Sequence, residues 1–169
     1  MRRILVVGAS GAGKTALAGE LARRLDLPLI HLDRHYWRPG WTAPAPADFR
    51  AEVAALAARP AWIMDGNYAS TLDLRLPRAD LLVLCDTSRL RCLVRIVRRR
   101  WAHRAARRPD LPEGCPERLD LDFLPHVWRF PRDSRPRVLA ALAEHAPGLP
   151  VRRLRGRRDA ARLLTDVGK

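Results

Sequence analysis

Residues 8–15 read Gly-Ala-Ser-Gly-Ala-Gly-Lys-Thr, a glycine-spaced run that closes on a lysine and a hydroxyl residue. It matches the pattern G-x-x-x-x-G-K-[ST] at every position. The glycines at Gly8, Gly11 and Gly13 let the backbone curl so that successive N–H groups point inward. With the amides of Ala9, Ser10 and Ala12, they make a cradle for phosphate oxygens. Lys14 adds a compact point charge able to reach β- and γ-phosphates, a task for which a forked guanidinium is less suited. The Thr15 hydroxyl can ligate Mg²⁺. Of 32 basic residues only Lys14 and Lys169 are lysines. In a chain that writes its positive charge as arginine, position 14 calls for an ammonium. This segment implies binding of a nucleoside triphosphate with Mg²⁺.

Three carboxylates follow short apolar runs: Asp33, Asp65 and Asp86. In a protein with such a loop, a carboxylate at the end of a buried strand can hold Mg²⁺ directly or through water. Asp65 is therefore a candidate for metal or phosphate chemistry, and Asp33 for a substrate or metal role, although an aspartate there also suits a turn or cap. Asp86 precedes Thr87-Ser88 at a helix start and reads as a cap.

From Thr87 to Pro109 there is no acidic residue and there are nine arginines. Arg91, Arg95 and Arg98 share one helix face and read as solvated surface. Arg104, Arg107 and Arg108 enter a proline-rich segment and are candidates for meeting charge on a transferred phosphoryl group. Arg132 and Arg135 are candidates for a second clamp, and Arg155-Gly156-Arg157 for the neighbourhood of the adenine. Trp37 and Trp41 suit stacking on an acceptor ring or packing of their own loop. Cys115 has no necessary histidine partner and reads as an incidental thiol.

The elements that must position these residues are legible from periodicity. Ile4–Val7 is a short apolar run typical of a buried strand. After Thr15, Leu17, Leu21 and Leu25 with Ala18 and Ala22 fall at helical spacing and stop before Pro28. Further strands are expected at Leu27–Leu32, Ala61–Met64, Asp80–Cys85 and Leu149–Leu154. Helices are expected at Phe49–Arg59, over 88–103, over about 120–145 as one helix or two, and at Asp159–Val167. On the 88–103 helix, Leu90, Leu93, Val94, Val97 and Trp101 form the expected buried stripe. Residues 104–118, with three prolines and a glycine, read as a loop or lid. Strands alternating with helices imply a five-stranded parallel sheet covered on both faces, an α/β protein with ligands at the carboxyl ends of its strands.

The 169 residues fit a single domain spanning 1–169. Hydrophobic residues make up 47% and charged residues 30%, a globular rather than disordered composition. No window approaches the roughly 20 apolar residues of a membrane span. Three unclustered cysteines and five histidines without ligand spacing argue against a disulfide framework and a zinc site, and suit a reduced, cytoplasmic protein. The net charge of +14 reflects wholesale arginine usage and by itself says little about partners.

The stretches 31–41 (HLDRHYWRPGW), 62–68 (WIMDGNY) and 107–124 (RRPDLPEGCPERLDLDFL) resemble the small P-loop proteins known as DNA topology modulation proteins. These are similar in architecture to adenylate kinase and shikimate kinase. The resemblance implies a three-layer P-loop fold of nucleoside-monophosphate-kinase type, with an acceptor-binding segment over about 33–60 and an arginine-bearing lid over about 104–119. Asp65-Gly66 falls where adenylate kinases carry an Asp-Gly step. Asn67-Tyr68 replaces their Phe-Pro, and Arg75 is displaced from their arginine. Asp33 falls where shikimate kinases carry the aspartate that contacts the acceptor hydroxyl.

These readings converge on a phosphotransferase that moves the γ-phosphoryl group of MgATP to a small-molecule acceptor. The alternative is a nucleic-acid-associated ATPase using the basic helix at 89–108. It has thin support, because Trp101 is the only aromatic residue interleaved with those arginines.

Overall fold

The computed structural model describes residues 1–102 and 123–167, with side chains described over 1–98 and 124–167. The expected lid, with Arg104, Arg107, Arg108 and Cys115, lies outside the described residues.

Five strands pair in parallel in the order β2-β3-β1-β4-β5. They are β1 (Arg3–Gly8), β2 (Leu29–His31), β3 (Trp62–Asp65), β4 (Leu81–Cys85) and β5 (Val151–Leu154). The first four are apolar runs because both faces of the sheet are covered. Along β1, Ile4 and Val6 enter one core while Leu5 and Val7 enter the other. β5 is an edge strand whose exposed Arg152 and Arg153 discourage pairing with a foreign strand.

The first core takes its helical side from α1 (Lys14–Leu25), α5 (Arg89–Ala102) and α7 (Arg157–Asp166), through residues such as Leu17, Leu21, Cys92, Ile96 and Leu163. The second core takes Phe49, Val53 and Leu56 of α3 (Pro46–Ala58). α6 (Phe123–His145) serves both, giving Val127 and Phe130 to the first and Val138 to the second. It is one helix despite Pro131 and Pro136 within it. Burial at both ends offsets the lost backbone hydrogen bonds.

Two short helical pieces were not visible as periodicity: α2 (Leu32–Tyr36), and α4 (Leu72–Arg75) between 3₁₀ turns at Ala69–Thr71 and Leu76–Arg78. Each is too short to repeat an apolar stripe.

The expected face of α5 is turned: of that face's four aliphatic residues only Leu93 packs against the first core. Cys92 and Ile96 are the buried pair, whereas Leu90 is 65%, Val94 57% and Val97 43% exposed. The reason is the contact at the start of the helix. A Cβ on Gly11 would stand 2.5 Å from the Cys92 carbonyl oxygen, so α5 lies with its backbone against the glycine loop. Thr87 is also buried and donates to Ala12 O at 3.3 Å. Those contacts set the rotation of the helix, and the aliphatic residues follow.

Candidate active site

The loop after β1 and the start of α1 occupy the middle of the sheet, where the chain crosses from one side to the other. Ligands of open parallel sheets sit at such a switch point. A Cβ on Gly8 would lie 2.3 Å from Cys85 O on β4, so no side chain fits where the loop leaves the strand. The left-handed φ of +77° at Gly11 has the same requirement. α1 begins at Lys14 with no side-chain cap and no acidic residue in its first turn, which leaves its N–H groups and the positive helix end for an anion. Lys14 Nζ donates to Ala9 O at 3.1 Å, folding the ammonium over the loop.

Thr15 and Asp65 meet beside this loop. Thr15 Oγ1 donates to Asp65 Oδ2 at 2.9 Å, and His31 Nδ1 lies 3.4 Å from the same oxygen. Asp65 is buried, and among the described residues its Oδ1 has no hydrogen-bond partner. A buried carboxylate oxygen left unpaired is costly unless a ligand completes it. Next to a threonine hydroxyl and a phosphate cradle, a hard oxygen-seeking cation such as Mg²⁺ fits this pair. The described residues hold no cluster of three or more His, Cys, Asp or Glu able to hold a metal without other ligands. A cation held there would take phosphate oxygens and water as its further ligands.

On the other side, Asp33 lies in α2, one strand over from Asp65. Tyr68 Oη donates to Asp33 Oδ1 at 2.6 Å. Burial, then the Asp33 charge, pushes the Tyr68 phenol far above its ordinary range, so it remains a donor at any physiological pH. Tyr36, Trp37, Phe49 and Tyr68 pack with ring centroids 4.7–5.0 Å apart, and Trp37 meets Trp41 at 5.3 Å. Phe49 belongs to the second core and Tyr36 and Tyr68 pack against it, while Trp37 packs on Tyr36 and Trp41 on Trp37.

Two arginines and one aspartate take different places from those expected. Arg95 does not face solvent with Arg91 and Arg98: its Nη1 donates to Ala12 O at 3.2 Å and approaches Gly11 O at 3.4 Å. It braces the carbonyls of the glycine loop, and the expected helix face hid it from the sequence. Arg91 and Arg98 are exposed as expected. Asp86 is no cap; its Oδ2 accepts from Arg135 Nη1 at 3.2 Å and Arg153 Nε at 2.7 Å. Arg135 is thereby committed to tying α6 to the end of β4. Arg75 is fully buried and bonded to backbone carbonyls, so it does not stand in the acceptor site. Arg132 and Arg155 are exposed. Cys85 is buried, which pushes its thiol up to about 12 and removes it as a nucleophile at neutral pH.

No family model and no curated protein sequence matches the chain. Solved structures do. Shikimate kinase from Acinetobacter baumannii in complex with shikimate aligns with a TM-score of 0.62 at 18% identity, over 99% of this chain and 90% of that one. Shikimate kinase from Bacteroides thetaiotaomicron aligns with a TM-score of 0.52 at 17% identity, over 98% and 96%. The fold is a P-loop kinase fold. That likeness extends over the whole chain and agrees with the five-stranded parallel sheet, while the resemblance to DNA topology modulation proteins rests on the sequence stretches alone. No helix among the described residues is long and apolar enough to cross a membrane.

Proposed function

We propose that the chain is an ATP-dependent phosphotransferase acting on a small acceptor. The observation that carries this reading is the Thr15–Asp65 hydrogen bond beside the loop that Lys14 folds over, with the second oxygen of the buried Asp65 left without a hydrogen-bond partner among the described residues. The amides of Gly8, Ala9, Ser10, Gly11, Ala12, Gly13, Lys14 and Thr15 bind the triphosphate of ATP. Lys14 exchanges its bond to Ala9 for phosphate oxygens. Thr15 and Asp65 would hold Mg²⁺, which when bound neutralises charge on the β- and γ-phosphates. Arg95 braces the carbonyl side of the loop.

Asp33, held by Tyr68, orients the acceptor. If the acceptor is a hydroxyl compound, Asp33 accepts its proton; a phosphate acceptor needs no base. Arg104, Arg107 and Arg108, outside the described residues, are the candidates to meet charge on the transferring group and to complete the exclusion of water. Nucleosides, nucleoside monophosphates and small hydroxyl compounds are the acceptor classes to try.

Lys14→Ala tests the reading. It should lower ADP formation by about 10³-fold or more while leaving the thermal unfolding transition in place. A folded variant with near wild-type turnover contradicts the assignment.

A further inference from the structure

Arg75 is among the largest fully buried side chains of the described protein, and among the described residues its hydrogen bonds go to no carboxylate, the charge of Asp73 acting on it only through space. Its guanidinium instead donates to four backbone carbonyls of one loop. Nη1 reaches Gly66 O at 2.9 Å, Nη2 reaches Asn67 O at 2.6 Å and Tyr68 O at 2.9 Å, and Nε reaches Thr71 O at 3.3 Å. Burial pushes the group down to about 9, which leaves it charged at neutral pH. Enclosing a cation in this way is expensive and needs a compensating set of acceptors, which the loop supplies.

The loop so held has two functional ends. The Asn67 side-chain carbonyl accepts from Gly8 N–H at 2.9 Å, at the first residue of the phosphate loop. The Tyr68 hydroxyl grips Asp33 at 2.6 Å. Tyr68 also stands at a φ of +29°, a region an aromatic residue rarely adopts. Such a conformation persists only where its surroundings over-determine it. The bond from Arg75 to the Tyr68 carbonyl is one of those constraints.

We propose that Arg75 is a positioning residue that keeps the donor and acceptor halves of the site in one register, through the loop that joins Asn67 on Gly8 to Tyr68 on Asp33. The inference rests on the reading of Gly8–Thr15 as the nucleotide site and Asp33 as the acceptor side. A planar fork spanning several carbonyls is required; a lysine retains the charge but not the span. Order imposed at the phosphate loop by a nucleotide therefore passes to the Asp33 segment.

Hydrogen exchange read by mass spectrometry, with Mg²⁺ and the non-hydrolysable analogue AMP-PNP as probe, tests this without knowledge of the acceptor. In the wild type the probe should slow exchange in the peptides covering 8–15, 66–71 and 31–37. Arg75→Lys should retain the slowing at 8–15 and lose most of it, about fivefold or more, at 31–37. Tyr68→Phe, which removes only the hydroxyl, should retain it at 66–71 and lose it at 31–37. Asn67→Ala should lose it at both. If Arg75→Lys does not fold, Arg75→Gln, which keeps an amide donor without the span of the fork, takes its place with the same loss expected at 31–37. Wild-type slowing confined to 8–15, or undiminished slowing at 31–37 in the folded variants, overturns the proposal. Absence of any slowing at 8–15 in the wild type overturns the nucleotide-site reading instead, so the two failures are distinct.

Discussion

Thr15 and Asp65, 50 residues apart in sequence, share a hydrogen bond of 2.9 Å that joins the first turn of α1 to the end of β3. The parallel register makes this possible. Val6 pairs with Asp65, so the carboxylate emerges level with the loop that follows β1. One Asp65 oxygen is spent on the threonine, and the other is buried without a partner among the described residues.

Asp65→Asn should accordingly weaken the Mg²⁺ dependence of nucleotide binding by about 10–100-fold, with a smaller effect on binding of ATP in the absence of the metal. Calorimetric titration with and without Mg²⁺ checks this. Equal losses under both conditions would show that Asp65 is only a structural partner of Thr15.

Arg95→Ala should raise the Kd for MgATP by about tenfold, the scale of one charged hydrogen bond, because its guanidinium braces the carbonyls of Gly11 and Ala12. Arg98→Ala, about one turn further along the helix and exposed, should leave it within twofold. Nucleotide titrations of the two variants separate a site arginine from a surface one.

The orientation of α5 has its own test in stability. Ile96→Ala removes a buried side chain and should cost about 2–4 kcal/mol in denaturant unfolding. Val94→Ala, on the exposed side, should cost less than about 0.5 kcal/mol. The reverse order would restore the face expected from the aliphatic spacing.

Asp80 accepts from the backbone N–H groups of Arg2 and Arg3, and these bonds, with Arg2 the largest cause, hold its carboxyl below the ordinary value of 3.8. A group depressed in the folded state contributes stability above its unfolded pKa and loses it as pH falls through the lower folded one. Asp80→Asn should therefore be less stable than the wild type near neutrality, and the difference should shrink as pH falls below about 4. Urea melts at pH 7 and at acid pH check the sign.

Much of the fold was legible in residue patterns because its strands are short apolar runs and its longer helices carry regular stripes. Ile4–Val7 and Asp80–Cys85 announced strands within one residue of β1 and β4. The glycine loop was legible for a stronger reason: its residue types are dictated by backbone geometry and by the phosphate it suits. The 32–36 and 69–78 turns were not, since pieces of three to five residues carry no period. Nor was the face of α5, where a glycine contact outweighs three of the four expected aliphatic side chains. Asp86 looked like a cap from its neighbours Thr87 and Ser88, yet its partners Arg135 and Arg153 come from distant positions that only the folded chain brings together. Arg75 is the same lesson in the opposite direction, an arginine near a candidate acceptor site that the fold commits to its own backbone.

The central claim is phosphoryl transfer, and the most direct measurement is ADP formation from MgATP, first with no acceptor and then across nucleosides, nucleoside monophosphates and small hydroxyl compounds. A phosphotransferase should form ADP at a rate that rises severalfold or more with one acceptor class and is abolished by Lys14→Ala. A slow rate indifferent to every small acceptor, rising only with DNA and falling steeply with salt, would contradict it and make the arginines of α5 the centre of a different mechanism.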